Sequence, residues 1–134
     1  MVTIASDLVR QILNAAAGSP EAEVCGLLFG TDDAIEATQP CRNVADDPSR
    51  WFEIDPAALL AAHRAARGGG AEIVGWYHSH PSGQPVPSSR DAASAAPDGM
   101  LWLIAGGGDL RAWRAVANGP VEGLFEAVEL EVLP

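Results

Sequence analysis

Gly75-Trp76-Tyr77-His78-Ser79-His80-Pro81-Ser82-Gly83-Gln84-Pro85-Val86-Pro87-Ser88-Ser89-Arg90-Asp91 gathers three metal-ligating side chains into one short stretch. The segment from Ile73 to His80 is apolar enough to be a strand. On a strand, side chains two apart share a face, so His78 and His80 point the same way at roughly 7 Å separation, within span of one ion bound at ~2 Å per ligand. Pro81 ends the strand. Gly83, Pro85 and Pro87 make a stiff loop that returns the chain to a helix opening at Ser88 and running to about Ala96, with Asp91 in its first turn. Two histidines and one aspartate leave the fourth tetrahedral position open for water, the arrangement of catalytic rather than structural zinc.

Each part has a plainer explanation when taken alone. A His-x-His pair arises by chance, and Ser88-x-x-Asp91 is the pattern of a simple helix cap. At the end of an apolar strand, separated by a proline-rich loop of suitable length, the two together are poorly explained by packing and capping.

Working outward, Leu8, Val9, Ile12, Leu13 and Ala16 recur at helical spacing between Ser6, a candidate cap, and Gly18, a stop. Val24 to Phe29 is apolar at nearly every position and reads as a strand buried on both faces. Ala34 to Cys41 pairs with it, and a short strand is expected at Trp51-Phe52-Glu53-Ile54. Asp55-Pro56 opens a second helix that continues to Arg67 and stops at Gly68-Gly69-Gly70. Leu101 to Ala105 is a further buried strand. Gly106 to Asp109 is turn material leading into Leu110 to Ala117, and Phe125 to Leu133 alternates as one closing strand. The sum is a mixed α/β fold, expected as one domain over residues 1–134, since two cores in 134 residues would each be too small to bury enough apolar area.

Hydrophobic residues make up 48% of the chain and charged ones 19%, a globular balance. The net charge of -10 repels phosphate backbones and anionic membranes, so neither nucleic acid nor membrane is an expected partner. Cys25 and Cys41 form no Cys-x-x-Cys pair or disulfide framework, and no long apolar run stands near Met1, so a cytoplasmic location is expected. Cys25 belongs to the core, and His63 to packing or surface. His-Glu-x-x-His, Pro-Cys-x-x-Cys and phosphate-loop motifs are all missing.

His78-Ser79-His80-Pro81, seven residues, then Ser88-x-x-Asp91 resembles the JAMM signature of the MPN+ metallopeptidases. That family also places a glutamate just before a glycine-containing apolar strand, and Glu23-Val24-Cys25-Gly26-Leu27-Leu28-Phe29-Gly30 is similar to that segment; Glu21 does not hold the same spacing. The resemblance extends from the first helix to at least the Leu101 strand, with no departure at a motif position. It implies a single MPN/JAB-type domain: a mixed, mostly antiparallel sheet flanked by helices, with cytidine-deaminase-like layering. It implies Zn2+ on His78, His80 and Asp91, with Glu23 as the proton carrier and Ser88 as a donor to the oxyanion. It further implies hydrolysis of a peptide or isopeptide bond after the Gly-Gly tail of a ubiquitin-like or sulfur-carrier protein, with Arg42 to Ile54 contributing to the groove for that tail. A homodimer is a further expectation. The alternatives are a non-catalytic MPN scaffold and a small-amide hydrolase on the same centre.

Overall fold

The computed structural model describes all 134 residues. Eight strands form one sheet: β1 Val2–Ala5, β2 Cys25–Thr31, β3 Ala34–Cys41, β4 Ile73–Ser79, β5 Leu101–Gly106, β6 Asp109–Gly119, β7 Gly123–Val128 and β8 Leu130–Leu133, in the order β7-β6-β5-β4-β2-β3-β1-β8. Three helices accompany them: α1 Ser6–Ala17, α2 Pro56–Arg67 and α3 Ser89–Ser94. The β4–β5, β1–β3 and β1–β8 pairs are parallel, and the remaining four are antiparallel. None of the helices is long and apolar enough to cross a membrane.

The strand period assigns each face of the sheet its own core. Val2, Ile4, Leu28, Tyr77, Leu101 and Leu103 point to one side, where α1 covers them with Leu8, Val9, Ile12 and Leu13. Trp102, Ile104, Trp113, Ala115 and Phe125 point to the other, joined by Phe52, Trp76 and the α3 residue Ala92. Burying a large apolar side chain stabilises the fold by roughly 1.5–3 kcal/mol, so both clusters hold the central strands β4 and β5 in place. His78 stands on the second, aromatic side.

Three local expectations change, and one strand is new. Ser6 is the first residue of α1 and not its cap; Ala5 occupies the cap position without a side-chain bond, because β1 runs directly into the helix. β1 itself is not foreshadowed by the sequence, being four residues long with a helix immediately after it. Trp51–Ile54 is not a strand. Only an isolated bridge joins Asn43 to Ile54, and the Asn43 side chain bonds the Trp51 carbonyl and the Glu53 N–H that a ladder would have used.

The closing segment is two strands, not one: β7 pairs with β6 and β8 with β1, at opposite ends of the strand order, with Glu129 alone between them. The chain therefore passes from one edge of the sheet to the other across one residue, and the sheet must curl until its edges nearly meet. Val2 N–H donates to the Glu129 carbonyl at 2.9 Å across this seam.

Gly75 lies where β4 and β5 approach most tightly, and a Cβ there would stand 2.0 Å from the Leu101 carbonyl oxygen. Gly75→Ala is expected to destabilise the protein by about 3 kcal/mol in urea unfolding, because backbone and not a flexible side chain must yield.

Candidate metal centre

The centre sits where β4 ends between β2 and β5. His78 pairs in register with Cys25 and Ile104, so it is fixed from both sides and is fully buried. Phe52 stacks on its imidazole at 4.3 Å between ring centroids, and Trp102 meets it edge-on at 5.8 Å. His80 follows the strand, on the same side as His78 as the spacing requires. Its N–H bonds the Ala105 carbonyl at 2.8 Å, and its Nδ1 lies 2.8 Å from the Gln84 carbonyl. A carbonyl can only accept, so Nδ1 carries the proton and Nε2 is turned toward His78 and Asp91.

Asp91 arrives from α3 through a reciprocal cap. The Ser88 hydroxyl accepts the Asp91 N–H at 3.0 Å, and Asp91 Oδ2 accepts the Ser88 N–H at 2.9 Å. The same carboxylate then reaches His80 Nε2 with Oδ2 and His78 Nε2 with Oδ1, each at 3.1 Å, and the two Nε2 atoms are themselves 3.1 Å apart. The three potential ligand atoms lie within 4.8 Å of one another. Two atoms bound to one tetrahedral ion at 2.0–2.1 Å are about 3.3 Å apart, so the 3.1 Å between the two Nε2 atoms, with one Asp91 oxygen 3.1 Å from each, is the spacing of ligands to one shared ion.

Protonation follows the same geometry. Burial lowers the His78 affinity for a proton against the pull of Asp91, which keeps the ring neutral. Burial also disfavours the His80 cation, but the bonds to Asp91 and Gln84 outweigh it and its pKa rises. Burial pushes the Asp91 carboxyl up, while His78 and His80 pull it well below the usual carboxylate range. A carboxylate beside one neutral imidazole and one that attracts a proton is a cation site; a divalent ion entering it would displace the His80 proton.

Glu23 stands just before β2 and is 5% exposed. It lines a cleft of about 280 Å³ together with His80, Ser88 and Arg50. The residues expected from sequence are thus brought together: His80, Glu23 and Ser88 line the cleft, and His78 and Asp91 meet His80 from the buried side. Glu23 Oε1 has no hydrogen-bond partner in the protein, and burial pushes the carboxyl up to about 7, with His80 pulling down and Asp91 pushing up. Cys25 is buried, with its thiol raised to about 12, chiefly by burial, and is a core residue. His63 is exposed on α2.

Several supporting residues are not visible in the sequence. Ser79 Oγ accepts the Val24 N–H at 2.9 Å and ties the chain beside Glu23 to β4. Trp113 Nε1 donates to the Pro85 carbonyl at 3.0 Å and pins the proline-rich loop. Asn43 organises the loop between β3 and α2. Ser79 lies inside the motif, where its position could have suggested a role; Trp113 and Asn43 carry no local signal.

Fold and centre together define a JAMM/MPN-type metal-binding domain. The chain belongs to the family of prokaryotic homologs of the JAB domain, whose pattern matches residues 5–116. The desampylase of Haloferax volcanii is 40% identical over 109 residues, covering 77% of this chain and 78% of that protein. The desampylase of Pyrococcus furiosus is 35% identical over 106 residues, covering 78% and 74%. A solution structure of a Desulfitobacterium hafniense protein has the same fold, with a TM-score of 0.82 at 24% identity over 99% of this chain and 93% of that one.

Glu23→Gln tests the buried acid. Below pH 4.5 both folded and unfolded states hold the Glu23 proton; between 4.5 and about 7 only the folded state does, so stability falls as pH rises through that window. In chelator-treated protein at pH 8, Glu23→Gln should therefore raise urea stability by about 2 kcal/mol, with little difference near pH 4.

Proposed function

We propose that the chain is a zinc metallopeptidase that cleaves the peptide or isopeptide bond after the glycine-ended tail of a ubiquitin-like protein. Membership of the JAMM family together with the intact His78, His80 and Asp91 cluster supports metallopeptidase activity. The names of the two desampylases describe enzymes that remove a modifier, and conjugates of a ubiquitin-like protein are the corresponding substrate class here. The observation that carries the reading is the meeting of two imidazole nitrogens and the Asp91 carboxylate at 3.1 Å spacings beside a cleft lined by His80 and a buried glutamate.

The donor set of two imidazoles and one carboxylate suits zinc with an open position. Bound there, Zn2+ would supply Lewis acidity toward the scissile carbonyl and lower the pKa of a coordinated water. His78, His80 and Asp91 hold their atoms at the required separations, with the His80 ring orientation set by the Gln84 carbonyl. Glu23 takes a proton from the attacking water and returns it to the departing amine nitrogen, the task of a carboxylate that lines the cleft outside the ligand set. Ser88 uses its oxygen to accept the Asp91 N–H, so its own hydrogen is free to be donated to the oxyanion. At about 280 Å³ the cleft has room for a few small residues of an extended tail and not for a folded domain.

The test pairs metal content with a substrate panel. Wild type should hold one zinc per chain, and His78→Ala and Asp91→Ala should lose it. Glu23→Gln should keep zinc and lose kcat by on the order of 1000-fold on linear and isopeptide-linked ubiquitin-like fusions. Sub-stoichiometric zinc in wild type and both ligand variants removes the metal reading, and cleavage confined to small chromogenic amides replaces the conjugate substrate with the small-amide alternative.

A further inference from the structure

The Asn43 side chain has every hydrogen-bonding position filled. Its Nδ2 donates to the carbonyls of Glu23 and Trp51, both at 3.0 Å, and its Oδ1 accepts the N–H groups of Ala45 at 3.0 Å and Glu53 at 3.1 Å. Three of these partners, Ala45, Trp51 and Glu53, belong to the loop of residues 42–54 itself. The Glu23 carbonyl lies twenty residues away in the chain.

On one side Glu23 is anchored through Val24, which is tied to Ser79 of β4; its own main-chain groups are bonded only by the loop. β2 begins at Cys25, so no ladder bond reaches Glu23. Its N–H donates to the Pro48 carbonyl at 2.7 Å, and its C=O accepts from Asn43. Both main-chain groups are therefore held by the same loop. The side chain is 5% exposed with Oε1 unpartnered, so the carboxylate is not located by hydrogen bonds at that oxygen. Where the backbone goes, the carboxylate follows. The loop also presses Phe52 onto His78 and lays Trp51 under the Arg90 guanidinium of α3 at 3.9 Å, so it touches one ligand of the centre and the helix that carries another.

We infer that Asn43 is a positioning residue for Glu23: it fastens the loop of residues 42–54 to the Glu23 main chain and thereby fixes where the carboxylate stands over the metal ligands. This rests on the role proposed above for Glu23. Anything that docks on the loop, including a substrate tail, then acts on the placement of the proton carrier and not only on binding.

Asn43→Asp tests this directly, because it keeps both acceptor bonds to Ala45 and Glu53 and loses both donations; Asn43→Ser is a second, shorter variant. Zinc content should be unchanged, KM should stay within about twofold, and kcat should fall on the order of 100-fold, the cost of misplacing a reacting group by about an ångström. Added to Glu23→Gln, either substitution should change the residual rate by less than about twofold, since the group it positions is already lost. Additive losses in the double variants, or a raised KM with kcat kept, would overturn the inference. A readout independent of turnover is hydrogen exchange of the Glu23 amide in chelator-treated protein. Asn43→Asp should speed it at least about tenfold while leaving the β5 amides protected, and unaltered exchange there also counts against the inference. Should zinc-loaded wild type cleave no conjugate at all, it is the peptidase reading that fails, and the exchange measurement still decides whether Asn43 holds the Glu23 main chain.

Discussion

The carboxylate of Asp91 must satisfy a helix start and two imidazoles at once, and much of the surrounding structure serves that requirement. Oδ2 takes the Ser88 N–H and faces His80, while Oδ1 faces His78. The helix that carries it has six residues, too few to be stable alone. Its position comes instead from the reciprocal cap, from Ala92 and Ala95 against the aromatic face, and from Arg90 stacked on Trp51. The loop before it is held as firmly. Trp113 grips the Pro85 carbonyl, His80 grips that of Gln84, and at Gly106 a Cβ would stand 2.7–2.9 Å from the main chain of residues 83–85. A side chain at that position would push the loop outward and carry Ser88 and Asp91 with it.

The signals that were legible in the sequence were local. His78 and His80 share a face because a strand repeats every two residues, and Asp91 sits in a first turn because Ser88 caps it; both facts are contained in adjacent residues. The capping explanation of Ser88-x-x-Asp91 and the ligand explanation hold together: the cap is what aims the carboxylate. What was not legible depends on partners distant in sequence. The alternation of Phe125 to Leu133 does not change where β7 hands over to β8, because a strand's side-chain pattern is the same whichever neighbour it bonds. Trp51 to Ile54 has strand composition, yet Asn43 takes its backbone groups, and no pattern within those four residues reveals a competitor eight to ten positions away.

The rival view, in which the domain is a scaffold without catalysis, is best judged by what the fold tolerates in its interior. Asp91 is 3% exposed, Glu23 is 5% exposed without a partner for Oε1, and His78 is fully buried with Nδ1 unpartnered. Unpaired buried polar groups each disfavour folding by about 1–3 kcal/mol, and well-packed apolar residues of similar volume are often neutral or stabilising in their place. A scaffold has no need of such residues at the end of its central strand, in a chain whose neighbouring positions Leu27, Leu103 and Ile104 are apolar and fully buried. A metal centre does need them: of the three buried side-chain polar atoms without a partner, Glu23 Oε1 and His78 Nδ1 lie at the centre and its cleft, and the third, Trp102 Nε1, lies in the aromatic core against which His78 packs. Local departure from the rules of stability, gathered where two imidazoles, a carboxylate and a buried glutamate converge, is the physical mark of a site maintained for chemistry.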